Sequence, residues 1–244
     1  MKPAVAETGD RWRDAWPDAL AFVVGLGVAW FASWNTADLV WSLWLSSLVV
    51  GYSILVWQLS AVLREFAVNA ARDRSPGAGW MKAGGFGVVL FGTLFGLVFF
   101  TVHFGGFHFG HSVFLSHFFP IETEGGSAHR GFPNAAVYAE VFRRYWIFLP
   151  AAFLAQRAGF VAAGSAAQAK RPSDVAVRKP VLATGALVAP YSNVVRMHLL
   201  IFFFAAAHVV HLDHFIVYAV VYAVYFFPWR LVRRSRTTEQ PTQA

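Results

Sequence analysis

Seven of the chain's nine histidines fall into two tight groups. His103, His108, His111 and His117 lie in "HFGGFHFGHSVFLSH", and His208, His211 and His214 in "HVVHLDH". Residues three apart are neighbours on a helix surface. His108 with His111, and His208 with His211, can therefore each present two imidazoles side by side. Imidazole suits first-row transition metals. The expected chemistry is a metal site (Zn, Cu or Fe) or a haem, drawing its ligands from His103, His108, His111, His208 and His211. A haem held by two histidines would need rings from different helices at equal depth, such as His103 or His111 with His208. Glu140 and Asp213 are carboxylates within reach of the same region, and Glu122 and Glu124 are nearby in sequence. His103 and His111 are eight residues apart, about 80° in azimuth and 12 Å in height on a straight helix. They share a face but cannot both hold one ion. The competing use of histidine at a membrane interface is a hydrogen bond to water or a carbonyl, and this is the reading for His117, His129 and His214. His198 stands alone and is expected to act separately, as an intramembrane hydrogen-bonding group.

The elements that carry these rings are apolar. Hydrophobic residues make up 57% of the 244 and charged residues only 14%, where a soluble domain carries about 25%. Several runs approach the roughly 20 residues that cross a bilayer. The fold expected is an all-α membrane protein, a bundle of about six transmembrane helices near 19–34, 39–63, 83–119, 136–163, 191–210 and 215–232. Residues 1–18 form an N-terminal segment, 19–234 the transmembrane domain and 235–244 a disordered tail. Trp12, Trp16, Trp30 and Trp34 are expected as interfacial anchors of the first span, and Asp38 as a cap of the second. A single straight helix over 83–119 is about 55 Å long, so it must tilt, break near Gly105-Gly106, or project beyond the bilayer.

Charge orients the bundle. Arg64, Arg72, Arg74 and Lys82 lie between spans two and three, Lys170, Arg171, Arg178 and Lys179 between four and five, and Arg230, Arg233, Arg234 and Arg236 after the sixth. Lys2, Arg11 and Arg13 precede the first, and the remaining connections hold a single arginine. Six spans put all four basic segments on one side, which is the cytoplasmic side. Both termini are then cytoplasmic, the protein sits in the inner (plasma) membrane, and both histidine groups reach the outer leaflet. The formal charge of +7 belongs to these loops and to the lipid surface, with no nucleic-acid partner implied. Beyond the bilayer, a homo-oligomer or a membrane partner is compatible with the sequence. Without cysteine, thiolate ligands and disulfides are excluded.

Two stretches, "HFGGFHFGHSVF" and "PYSNVVRMH", resemble a family of bacterial and archaeal polytopic membrane proteins of unknown function. That family has "HYG…HG.F" in its third span and "PY.R….H" opening its fifth. The eight-residue steps from His103 to His111 and from Pro190 to His198 match, and the likeness runs from about Asp38 to Pro228. It implies six spans and no established activity. Ser46, Gln156 and Asn193 stand where the family has Glu, His and Arg, so a polar site built from the full set would be altered here.

Other polar groups have plainer readings. Glu140, Arg143 and Arg144 have the spacing of an interfacial ion pair. Arg157 and Arg196 are expected to snorkel to lipid phosphate. Gly92 and Gly96 form a GxxxG suited to close helix packing. The chain has no phosphate loop, nucleophile elbow or HExxH motif, so no reaction is named. Three classes remain: a metal or haem protein with its site in the outer half, a small transporter or ion pathway, and a structural or partner-binding subunit.

Overall fold

The computed structural model describes residues 5–72, 79–123, 128–161, 199–200, 202–204, 206–207, 209–210 and 215–226. Helix α1 is Val5–Phe31, longer than the first span expected from hydropathy. It ends in a paired hydrogen-bond motif: Trp34 N–H donates to Ala29 O at 2.9 Å and Ser33 N–H to Trp30 O at 3.1 Å. Ser33 adopts φ of 54° to close it, a left-handed position usually given to glycine. The next helix, α2, is Thr36–Arg72. Asn35 Oδ1 accepts from the N–H groups of Ala37 (2.8 Å) and Asp38 (3.2 Å), and Asp38 Oδ2 accepts from Asn35 N–H at 2.8 Å. The expected Asp38 cap is thus half of a reciprocal box in which Asn35 is the N-cap.

Helix α3, Gly79–Phe100, runs into a π-helical turn, Thr101–Gly105, and on into α4, Gly106–Phe118. The third expected span does not break at Gly105-Gly106; the helix passes through with one widened turn. Next come two short antiparallel strands, β1 (Ile121–Glu122) and β2 (Ala128–His129), where the sequence suggested only a loop; Ile121 pairs with His129. The fourth expected span is divided. Helix α5 is Ala135–Tyr145, a 3-10 turn covers Trp146–Phe148, and α6 is Leu149–Ala155. Pro150 explains the interruption: it lacks an N–H and its ring clashes with the carbonyl four residues back, at Trp146. A turn at Gln156 precedes a further helical stretch at 157–161. The last described helix, α7, is Phe215–Phe226.

Two helices, Thr36–Arg72 and Gly84–Phe118, are long and apolar enough to cross a membrane. They play different parts. In its most apolar stretch α2 is 61% buried, whereas the equivalent stretch of the 84–118 helix is 6% buried. The core accordingly gathers on α2, where Trp41, Trp44 and Leu45 meet Leu115, Phe119, Tyr145, Phe148, Phe204 and Tyr222. Trp34 joins this core, edge-on to Tyr145 with ring centres 5.4 Å apart, so it is not an interfacial anchor. Close approach is sharpest at two glycines. A Cβ on Gly51 would lie 2.5 Å from the Phe104 ring, and one on Gly25 would collide with the Tyr222 hydroxyl.

Arg157 departs from expectation. Its guanidinium pairs with Asp18 of α1 and also donates to Leu154 O, so it ties the fourth segment to the first.

Candidate functional site

The π-turn organises the histidines of the third helix. A π-turn has more residues per turn than an α-turn, so each residue rotates less about the axis. It lies at His103 and narrows the 80° that a straight α-helix would put between His103 and His111. Both rings now line one open groove of about 500 Å³ together with Val102, Gly106, Phe107 and Gly110. A Cβ on Gly106 or Gly110 would meet nothing within 4 Å, so the two glycines form an unobstructed floor. Phe107 and Val102 are exposed beside it. The His103 ring is stacked on Phe99 (centres 5.6 Å apart, planes at 10°) and stands edge-on to Phe107 at 5.1 Å.

His108 faces the other way and is 1% exposed. Its Nδ1 lies 3.0 Å from Phe104 O and its Nε2 3.2 Å from Ser47 Oγ. A carbonyl only accepts, so Nδ1 carries the proton, and Nε2 accepts from the Ser47 hydroxyl. Both nitrogens are therefore engaged, Nδ1 within its own helix and Nε2 across to α2. Trp44 Nε1–H donates to His108 O at 2.8 Å, and Trp41 Nε1–H donates to Phe119 O at 2.9 Å. Ser112, one turn beyond His108, donates to Phe109 O (2.7 Å) and accepts from the Tyr138 hydroxyl (2.8 Å). Tyr138 in turn stacks on Trp44 with ring centres 5.8 Å apart. A buried polar seam thus runs from α2 through α4 to α5.

His111 lies between seam and groove. It is 8% exposed, and its ring centre is 6.2 Å from that of His108. The i,i+3 pair is adjacent, as spacing requires, but the two rings serve different surfaces. His117 is exposed at the end of α4 beside Phe118. Glu140, 6% exposed, accepts from Arg143 Nε (2.8 Å) and Nη2 (2.6 Å) and from Arg144 Nε. Arg144 Nη2–H also donates to Glu122 O at 2.8 Å, fastening the strand pair to α5. The carboxylate is thus occupied by two guanidinium groups. His198, His208, His211, Asp213 and His214 lie outside the described residues. Among the described residues no three His, Asp or Glu side chains converge on a point that could hold a metal ion.

Ser47, Ser112 and Tyr138 were not singled out by sequence as partners of the histidines. The only signal in the sequence was the i,i+4 spacing of His108 and Ser112; Ser47 and Tyr138 are distant in the chain and arrive by helix packing.

No curated protein and no solved structure matches the chain. A family model does match, over residues 5–227. On that match, the chain belongs to the family of unknown function DUF6498.

Proposed function

We propose that the chain is a six-span inner-membrane protein, with both termini cytoplasmic, that holds a ligand from the apolar phase in the outer half of its third span. Residues 1–18 and 235–244 would flank a transmembrane domain of 19–234. The distribution of basic residues supports this orientation. The length and apolarity of Thr36–Arg72 and Gly84–Phe118 support crossing the bilayer. The observation that carries the ligand reading is the groove floored by Gly106 and Gly110 and lined by His103 and His111. Polar rings inside an apolar span are expensive, and here two of them border open space on a face otherwise made of Val, Phe and Gly.

A metal or haem is the second form of this reading, favoured by the imidazoles themselves. His108 has both nitrogens committed, one to Phe104 O on its own helix and one to Ser47, so the ligand set would reduce to His103 or His111 joined by His208 or His211. An optical spectrum and metal analysis of the purified protein test it. The metal form expects stoichiometric metal that His111→Gln and His208→Gln release, while His117→Gln and His129→Gln retain it. Equal metal content in all four variants and the wild type removes it. Topology is tested with a reporter active only in the cytoplasm. It should be active when fused after Arg72, after Lys170 or at the C-terminus, and silent within 122–126. The reverse at any point breaks the six-span reading.

A further inference from the structure

We propose that a second groove, between α2 and the helical stretch at 157–161, seats one phospholipid of net negative charge from the cytoplasmic leaflet, its acyl chain along Trp57 and Phe160 and its phosphate on Arg64. This rests on the six-span orientation, which brings the C-terminal end of α2 to the cytoplasmic side, and is independent of the groove at His103 and His111.

The groove has a volume of about 440 Å³ and is lined by Tyr52, Ser53, Val56, Trp57, Ser60 and Phe160. The two elements meet closely beside it: a Cβ on Gly159 would lie 2.9 Å from Cδ1 of Ile54. Phe160 is backed by Phe153, with ring centres 5.8 Å apart. Val56 and Trp57 are 56% and 45% exposed, so a lipid can enter from the side. The two serines offer no proton to a guest. Ser53 Oγ–H donates to Val49 O and Ser60 Oγ–H to Trp57 O, each at 2.8 Å. A hydrocarbon chain can therefore lie against them without leaving a hydroxyl proton unmet.

The end of the groove is cationic. Arg64 follows Ser60 by four residues, so it continues the same face of α2 one turn nearer the cytoplasm. Its Cζ lies 6.0 Å from the centre of the Trp57 ring, a cation–π distance that holds the guanidinium beside the groove wall. None of the ion pairs among the described residues involves Arg64. A guanidinium can meet a phosphate through two parallel N–H donors. From 64 to 82 the chain carries Arg64, Arg72, Arg74 and Lys82 against Glu65 and Asp73, a net positive segment of the kind that draws anionic lipids of the cytoplasmic leaflet. The order along α2 is apolar wall, tryptophan, arginine, which is the order of tail, interface and head group in a lipid. A zwitterionic lipid gains less, because its ammonium is repelled by the same arginines. Free phosphate would use Arg64 but not the groove.

The test uses the full chain in a nonionic detergent, titrated with phosphatidylglycerol or phosphatidylcholine carrying identical brominated acyl chains. Bromine quenches nearby tryptophan, and the Trp57 share is the quenching that Trp57→Phe removes. Wild type should show saturable quenching of Trp57 and should bind phosphatidylglycerol about fivefold more tightly than phosphatidylcholine. Arg64→Gln should lose that preference while its thermal transition stays in place, since the side chain is exposed. Inorganic phosphate should not displace the lipid. Equal affinity for the two lipids, a preference that survives Arg64→Gln, quenching unchanged by Trp57→Phe, or displacement by phosphate each overturns the proposal. Fusions that place residues 64–82 outside the cell remove the orientation and with it the cytoplasmic leaflet, whereas a lost lipid preference with fusions as expected removes the lipid site alone.

Discussion

Nε2 of His108 and Oγ of Ser47 lie 3.2 Å apart across the interface of α2 and α4, and this bond helps decide which way the third helix faces. With Nδ1 donating to Phe104 O on its own helix, the ring acts as a bracket. The side chain is 1% exposed, so its removal leaves both a cavity and an unsatisfied hydroxyl. His108→Ala should destabilise the protein by about 3 kcal/mol. Ser47→Ala, which loses one hydrogen bond and little volume, should cost about 1 kcal/mol. Thermal unfolding in detergent measures both. The double variant should fall short of the sum of the two, because each removes the same bond. Strict additivity would mean that the bond contributes nothing.

The cluster around Glu140 makes a graded prediction. Arg143 bonds Glu140 and its side chain is 64% exposed, whereas the Arg144 side chain is 38% exposed and also holds Glu122 O. Exposed ion pairs are worth about 0–1 kcal/mol, so Arg143→Ala should be nearly silent. Arg144→Ala also releases the strand pair and should speed proteolysis within 121–129 several-fold. Glu140→Ala leaves two cations close together without their shared anion and should be the most destabilising of the three. Equal proteolysis in Arg143→Ala and Arg144→Ala would show that the bond to Glu122 O does not hold the strands.

Glycines separate the packed face of the third helix from its open face. A Cβ on Gly51 would lie 2.5 Å from the Phe104 ring, whereas one on Gly92 or Gly96 would meet nothing within 4 Å. Gly51→Ala should therefore push the Phe104 ring aside, disturb the π-turn and lower stability by about 1–3 kcal/mol. Gly92→Ala and Gly96→Ala should leave the monomer's thermal transition within about 0.5 kcal/mol of wild type, or raise it slightly through better helix propensity. If both were as damaging as Gly51→Ala, the GxxxG pair would be packed after all.

These contrasts mark what sequence can and cannot reveal. The long apolar runs gave two helices of spanning length, and local spacing gave Asp38 at the start of α2, though not Asn35 as its N-cap, and the Glu140–Arg143–Arg144 cluster, because each depends only on residues within one or two turns. Pro150 could have been used to divide the fourth segment but was overridden there by its hydropathy. The π-turn has no comparable local cause. It lies where Phe104 packs over Gly51 and where a Cβ on Gly105 would lie 2.9 Å from the Tyr52 hydroxyl, so it faces a partner helix some fifty residues away in the chain. The division of the histidines into a seam ring and two groove rings follows from that turn. Spacing alone grouped His108 with His111 as ligands, whereas packing assigns the first to Ser47. The burial of Trp34 was missed for the same reason: a tryptophan at the end of an apolar run reads as an anchor until Tyr145 covers it.

The connection between α1 and α2 offers a stabilising change. Ser33 holds φ of 54° so that the N–H groups of Ser33 and Trp34 can reach the last carbonyls of α1. For a residue with a Cβ, the left-handed region costs about 1–2 kcal/mol. Glycine removes that cost but adds chain entropy in the unfolded state, roughly 0.5–1 kcal/mol. Ser33→Gly should therefore stabilise by about 0.5–1 kcal/mol and raise the thermal midpoint. Ser33→Val should lower it, because a branched Cβ is least compatible with positive φ. Both substitutions leave the Asn35–Asp38 box intact, so they isolate the backbone term. A midpoint that falls in Ser33→Gly, or that is unchanged in Ser33→Val, would show that Ser33 does not carry this strain.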